Sequence, residues 1–179
     1  MKKLKTTELN RLSVDEFKST TKNNFVVVLD NVRSLNNVGS AFRTCDAFAA
    51  EKLYLCGITG KPPHRDITKT AIGAQDTVEW VFFEKIEDAI IDLKEKGFKI
   101  VLLEQTDASI SMETFEPQQN EKYAFVFGNE VFGVSDSILE EADLCVEIPQ
   151  YGTKHSLNVS VTIGVTLWDY LLKSNNFEA

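Results

Sequence analysis

Three stretches of the sequence combine small residues with side chains able to hold a polar ligand. The first, NNVGSAFRTCDAF (36–48), carries Asn37, Gly39 and Arg43. An arginine placed above a strand end can clamp a phosphate through two parallel hydrogen bonds. The competing reading is a solvated arginine on an amphipathic helix. The second, FVFGNEVFGVSD (125–136), brings Gly128, Asn129, Glu130 and Gly133. Its glycines allow close approach of backbone and ligand, and Glu130 offers a negative group to a cationic or hydroxyl-bearing substrate. A tight turn with a solvated Glu is the alternative. The third, IPQYGTKHSLNVS (148–160), places Pro149 and Gly152 in a loop and Ser156 and Asn158 before an apolar run. Helix capping by Ser156 accounts for part of this pattern. It leaves unexplained an Asn at 158, inside what reads as the helix, where Asn is unfavourable.

The elements that must position these groups follow from hydrophobic periodicity. FVVVLD (25–30) is a continuous β-branched run that reads as a strand buried on both faces; FKIVLLE (98–104) and KYAFVFG (122–128) read as further buried strands, and KLYLCG (52–57), DTVEWVFF (76–83) and LCVEIP (144–149) as strands. Between them lie helical patterns. Residues 36–48 have Asn as N-cap, residues 86–97 end at a C-cap glycine, and residues 135–142 are capped by Ser135. Residues 6–20 also read as helical, with a capping box at Ser13–Glu16. Residues 58–65, containing Pro62 and Pro63, read as a loop. Alternation of strands and helices predicts an α/β fold with a mostly parallel sheet flanked by helices. Ligands of such sheets sit at the carboxyl ends of the strands, where each of the three stretches falls. No GxGxxG occurs, which disfavours a dinucleotide site. The closing helix, LNVSVTIGVTLWDYLLK (157–173), is apolar on more than one face. A helix apolar nearly all round needs cover on nearly all sides, and a second copy of the chain is the expected cover.

Composition narrows the function further. The 179 residues suit one domain, 25–179, with a short N-terminal helical extension, 1–24. No apolar run has the length of a membrane span and no secretory core follows the first lysines, so a cytoplasmic location is expected. Three widely spaced cysteines and two histidines predict neither a disulfide framework nor a metal site. The net charge of -8 argues against indiscriminate nucleic-acid binding. That average hides an asymmetry. Residues 1–75 hold 12 Lys+Arg against 7 Asp+Glu, and residues 76–179 hold 7 against 20. A basic first part can present a local positive face.

Taken together, the three stretches resemble, in order and in spacing, the three motifs of the SpoU/TrmH-type RNA ribose methyltransferases of the SPOUT superfamily. DITKTAIGA (66–74) is similar to a further family segment, and the likeness runs from about residue 25 to 173. The resemblance implies a C-terminal deep trefoil knot, which general topology rules would not suggest. It implies a homodimer and S-adenosyl-L-methionine as cofactor, with no metal. The implied reaction moves a methyl group to a ribose 2'-hydroxyl of tRNA or rRNA. By position, Arg43 would be the principal catalytic residue, supported by Asn37, with Glu130, Ser156 and Asn158 completing the polar site. Gly128, Asn129, Glu130, Ile148 and Leu157 would hold the cofactor. Family proposals often make the arginine a base, but an arginine stays protonated in proteins, so a charged clamp on phosphate and developing alkoxide is the alternative role. RNA is expected on Lys2, Lys3, Lys5, Arg11, Arg33, Arg43, Arg65 and Lys154. Two other readings stand beside the enzyme: a catalytically silent knotted RNA-binding protein, and an α/β enzyme using another adenosine cofactor.

Overall fold

A computed structural model describes residues 1–5, 8–9 and 11–174. Seven parallel strands form one sheet: β1 (Asn23–Asp30), β2 (Ala50–Cys56), β3 (Trp80–Phe83), β4 (Phe98–Leu103), β5 (Ile110–Ser111), β6 (Lys122–Phe127) and β7 (Leu144–Glu147). Their order across the sheet is β3-β2-β1-β6-β4-β7-β5. The central strands are apolar on both faces because helices cover both. Phe25, Val27 and Leu29 of β1 point into one core with Val38 and Phe42, while Val26 and Val28 point into another with Ile90 and Leu93.

The first core lies under α2 (Leu35–Ala47), α3 (Arg65–Ala71), α4 (Ala74–Thr77) and α6 (Val159–Lys173); the second lies under α5 (Ile86–Glu95) and a 3-10 turn at Asp136–Glu141. A ring cluster of Phe25, Phe125, Tyr123 and Tyr170 fastens α6 to β1 and β6, with edge-on contacts of 5.2–5.7 Å from Tyr170. The short α1 (Val14–Ser19) carries the expected capping box between Ser13 and Glu16. Of the segment 6–20 read as helical, only Val14–Ser19 is α-helix among the described residues; residues 6, 7 and 10 lie outside them, and so do 175–179 of the domain.

Four local readings are corrected. Asp76 and Thr77 belong to α4 and not to a strand: Val78 N–H donates to the Ala74 carbonyl at 3.0 Å and closes a helical turn, and Thr77 Oγ1 donates to Asp46 Oδ1. The cap of α2 is Ser34, whose hydroxyl accepts from the Asn37 N–H; the earlier start sets Arg43 just over two turns into the helix. Ser135 supplies no side-chain cap; its backbone N–H donates to Asp30 Oδ2 at 2.7 Å, and its turn is 3-10. Finally, α6 begins two residues later than its apolar run, so Asn158 precedes the helix as its N-cap. The two-residue β5 is too short to show a period.

Candidate active site

All three chemical stretches arrive at the carboxyl edge of the sheet. Strand β1 delivers the start of α2, β6 delivers residues 128–136, and β7 delivers residues 148–158. A cavity of about 570 Å3 lies over the ends of β4, β6 and β7, within the usual size of small-ligand sites. Gly128, Asn129, Glu130, Ile148, Ser156, Leu157 and Asn158 line it, with Leu103 and Glu104.

One polar chain links the three stretches. Asn158 Nδ2 donates to Asn37 Oδ1 at 3.3 Å, and Asn37 Nδ2 donates to Glu130 Oε1 at 3.0 Å. Glu130 also accepts from the backbone N–H groups of Arg33 and Ser34, each at 3.0 Å. Burial pushes the Glu130 carboxyl up, but the N–H donors of Arg33, Glu130 itself, Ser34 and Asn37 outweigh it and hold the group below its ordinary value. Glu130 is therefore an ionised tether between the second stretch and the start of α2. Asn158 works at both ends of its amide. Its Oδ1 accepts from Ser160 N–H at 2.9 Å as the cap, and its Nδ2 faces Asn37. Capping thus accounts for a position that is unfavourable by sequence alone.

The wall made by residues 128–133 is a locked hairpin. Asn129 N–H donates to the Gly133 carbonyl at 2.8 Å, and Gly133 N–H donates back to the Asn129 carbonyl at 3.0 Å. Asn129 is buried; its side chain accepts from Val131 and Phe132 N–H and donates to the Asn31 carbonyl at 2.7 Å. A Cβ on Gly128 would stand 2.1 Å from the Gly133 carbonyl carbon, and Gly133 adopts a φ of +72°. Close crossing of backbone thus requires glycine at 128, while the left-handed backbone and the adjacent Glu104 carboxylate favour it at 133. The opposite wall, Tyr151–Asn158, is exposed throughout; Gln105 and Gln150 both donate to the His155 carbonyl at 3.4 Å. Ser156 lines the cavity from this loop, and Ile148 and Leu157 give it apolar surface.

Arg43 is the one candidate that neither lines this cavity nor, like Asn37, bonds to side chains that do. It sits on the exposed stripe of α2 and forms no hydrogen bond or ion pair among the described residues. Two carboxylates at strand ends beside these loops carry no motif in the sequence. Glu104, at the end of β4, lines the cavity and accepts from Val134 N–H at 2.9 Å. Asp30, fully buried at the end of β1, binds Ser135 N–H and the Asn31 amide; burial pushes its carboxyl up against these bonds. The available signal is an acidic residue directly closing an apolar strand, as in FVVVLD and FKIVLLE.

The donor set suits a neutral or cationic adenosine-type ligand: glycine-hairpin backbone, apolar walls and carboxylates, with no lysine or arginine among the lining residues. Comparison with known proteins agrees with this arrangement. Residues 24–168 match the family model described as SpoU rRNA Methylase family. The tRNA (guanosine(18)-2'-O)-methyltransferase of Aquifex aeolicus is 35% identical over 147 residues, which cover 80% of this chain and 67% of that relative. The 23S rRNA (guanosine-2'-O-)-methyltransferase RlmB of Neisseria meningitidis is 30% identical over 142 residues, covering 79% of this chain and 56% of that relative. The crystal structure of the A. aeolicus TrmH/SpoU tRNA modifying enzyme superposes with a TM-score of 0.80 at 28% identity, over 91% of this chain and 81% of that one. The AdoMet-bound rRNA methyltransferase of Sinorhizobium meliloti shares the fold, with a TM-score of 0.79 at 24% identity over 91% of this chain and 61% of that one. Since the family match runs through the sheet and all three segments that meet at the cavity, the chain belongs to the SpoU rRNA methylase family.

Proposed function

We propose that this protein is an S-adenosyl-L-methionine-dependent RNA methyltransferase acting on a ribose 2'-hydroxyl of tRNA or rRNA. The observation that carries the reading is the Asn158–Asn37–Glu130 chain, in which one residue from each of the three segments closes a single site beside the cavity. The names of the relatives, two of them acting on guanosine 2'-oxygens of tRNA and rRNA, support the substrate class.

S-adenosyl-L-methionine, when bound, supplies a methyl group activated on sulfonium. Backbone of residues 128–133 and the apolar edges of Leu103, Ile148 and Leu157 would hold it. Asn37 and Asn158, fixed by Glu130, orient polar atoms at the mouth of the cavity. Arg43 holds a phosphate of the RNA and stabilises charge developing on the ribose oxygen; its permanent charge suits that role and not a base.

Arg43 is proposed to reach this chemistry from a second copy of the chain. Support comes from α6, whose outward Val161, Val165, Trp168 and Leu172 are 40–51 % exposed at helical spacing, a stripe that a twofold partner would cover. Helix α2, bearing Arg43, packs beside α6 and would adjoin the same interface. The trefoil knot belongs to the same proposal, with β6 and β7 flanking the earlier β4. It is checked by whether the backbone, pulled from both ends, tightens instead of straightening.

Tritium-methyl transfer to bulk tRNA and rRNA tests the activity. Arg43→Ala is expected to lower turnover by roughly 100-fold or more while calorimetric affinity for the cofactor stays within about twofold. Full methylation by Arg43→Ala would remove Arg43 from the mechanism, and absence of methyl transfer by the wild-type dimer to either RNA pool would reject the function.

A further inference from the structure

A second cavity, of about 430 Å3, opens over the ends of β1 and β2, on the other side of the 128–133 hairpin. Asn129, Phe132 and Gly133 line both cavities, so the hairpin is the partition between them. The Phe132 side chain stands on its crest, 84 % exposed. Its backbone is not free to move, because its own N–H and that of Val131 are held by Asn129 Oδ1 and the hairpin is closed by paired backbone bonds. An aromatic ring presented to solvent on a rigid turn gains little within the fold. It can receive a stacking partner at small ordering cost.

The polar groups of this second cavity divide in two. Those of the floor are already engaged: Asn31 Nδ2 donates to Asp30 at 2.8 Å, Asn31 Oδ1 accepts from Ile58 N–H at 3.1 Å, and Ser135 N–H donates to Asp30. Those of the rim, the Arg33 guanidinium and the Asp136 carboxylate, form no hydrogen bond or ion pair among the described residues. An apolar ring, a carboxylate and a guanidinium around one opening match a nucleotide. The ring stacks on the base, the carboxylate accepts from an N–H of the base edge, and the guanidinium meets a phosphate.

Resting on the methyl-transfer reading above, we propose that this second cavity receives the base of the nucleotide being methylated, stacked on Phe132. Its ribose would then lie across the hairpin crest, facing the methyl donor. A base extruded from its neighbours reaches such a pocket, and stacking on a phenyl ring repays part of the unstacking.

The test uses the full-length protein with bulk tRNA and rRNA from cells lacking this gene. RNA affinity is read by filter binding, cofactor affinity by calorimetry, and KM and kcat by tritium-methyl transfer. Phe132→Ala is expected to weaken RNA binding and raise KM about tenfold, with kcat and cofactor affinity within about twofold of wild type. Phe132→Trp should restore wild-type values, and Phe132→Leu, apolar but unable to stack, should not. Arg33→Ala should lower the slope of log affinity against log salt by about one. The proposal is overturned if Phe132→Leu equals wild type, or if Phe132→Ala weakens the cofactor and leaves RNA untouched. Should the wild type bind RNA but transfer no methyl group, the enzymatic reading fails, while the affinities of the Phe132 series still decide whether the cavity takes a base.

Discussion

At the scale of single residues, Glu130 plays a different part from the one its type suggests. A carboxylate at the mouth of a cavity invites assignment as an acid or base, yet this one accepts from Arg33, Ser34 and Asn37 and stays ionised. Its folded-state pKa lies below the unfolded value, so its stabilisation is fully present above the unfolded value of about 4.3 and is lost as pH falls through the folded one. Replacing Glu130 by Gln should cost about 1 kcal/mol at neutral pH, since the N–H donors then face a neutral acceptor. Urea titrations of wild type and Glu130→Gln from pH 7 to 3 should show a constant gap above about pH 5 that narrows on the acid side. A gap independent of pH would mean that the charge contributes nothing. Asn158 gives the complementary lesson. In the sequence its residue type stands out as misplaced within a helix, and the structure traces this to a helix that starts two residues late. The cap and the link to Asn37 use opposite ends of one amide, so residue type alone does not separate the two roles.

At the scale of elements, the hairpin 128–133 is the most demanding piece of the site. It brings backbone across backbone so closely that a methyl group at Gly128 would overlap the Gly133 carbonyl carbon and the Val134 nitrogen, neither of which can swing aside as a side chain would. Gly128→Ala is expected to cost about 3 kcal/mol, lowering the thermal midpoint by roughly 6–12 °C for a chain of this size. Calorimetric scanning checks it, and a midpoint unchanged within about 2 °C would mean that the hairpin can move apart. Such elements are legible in the sequence where apolar runs are long: FVVVLD and KYAFVF lie in the middle of the sheet, and their double-faced burial leaves a continuous signal. Legibility fails at boundaries. Asp76 and Thr77 precede a real strand and merge with it in the sequence pattern, because the side-chain bond from Thr77 to Asp46, 31 residues away, has no local signature. The parts played by Glu104 and Asp30 are invisible for the same reason: their partners, Val134 and Ser135, come from a distant turn.

At the scale of the whole molecule, the site within one chain is polar, anionic in part, and lacks the arginine that the sequence singles out. Residues 76–179, which supply the cavity loops, hold 20 acidic against 7 basic residues, whereas Arg33, Arg43 and Arg65 come from the basic first part and are exposed. In the proposed function RNA would meet exposed basic residues of this first part, Arg33, Arg43 and Arg65 among them, and its affinity should fall steeply with added salt. In the proposed dimer the apolar outer stripe of α6 would be covered by a second chain, and the neighbouring α2 would bring its Arg43. Two variants separate this from action within one chain. Val161→Glu with Leu172→Glu should convert a species of twice 20.1 kDa into one of 20.1 kDa by light scattering, with loss of turnover and retention of cofactor binding. Mixing then gives the sharper answer. Arg43→Ala and Asn158→Ala homodimers are each expected to be nearly inactive. If Arg43 serves the partner's cavity, a heterodimer of the two has one site with both lesions and one with neither. Random exchange of subunits makes about half the dimers hetero, so roughly a quarter of wild-type activity should return, as twofold symmetry requires. If Arg43 instead serves its own chain, every site in the mixture keeps one lesion and no activity returns.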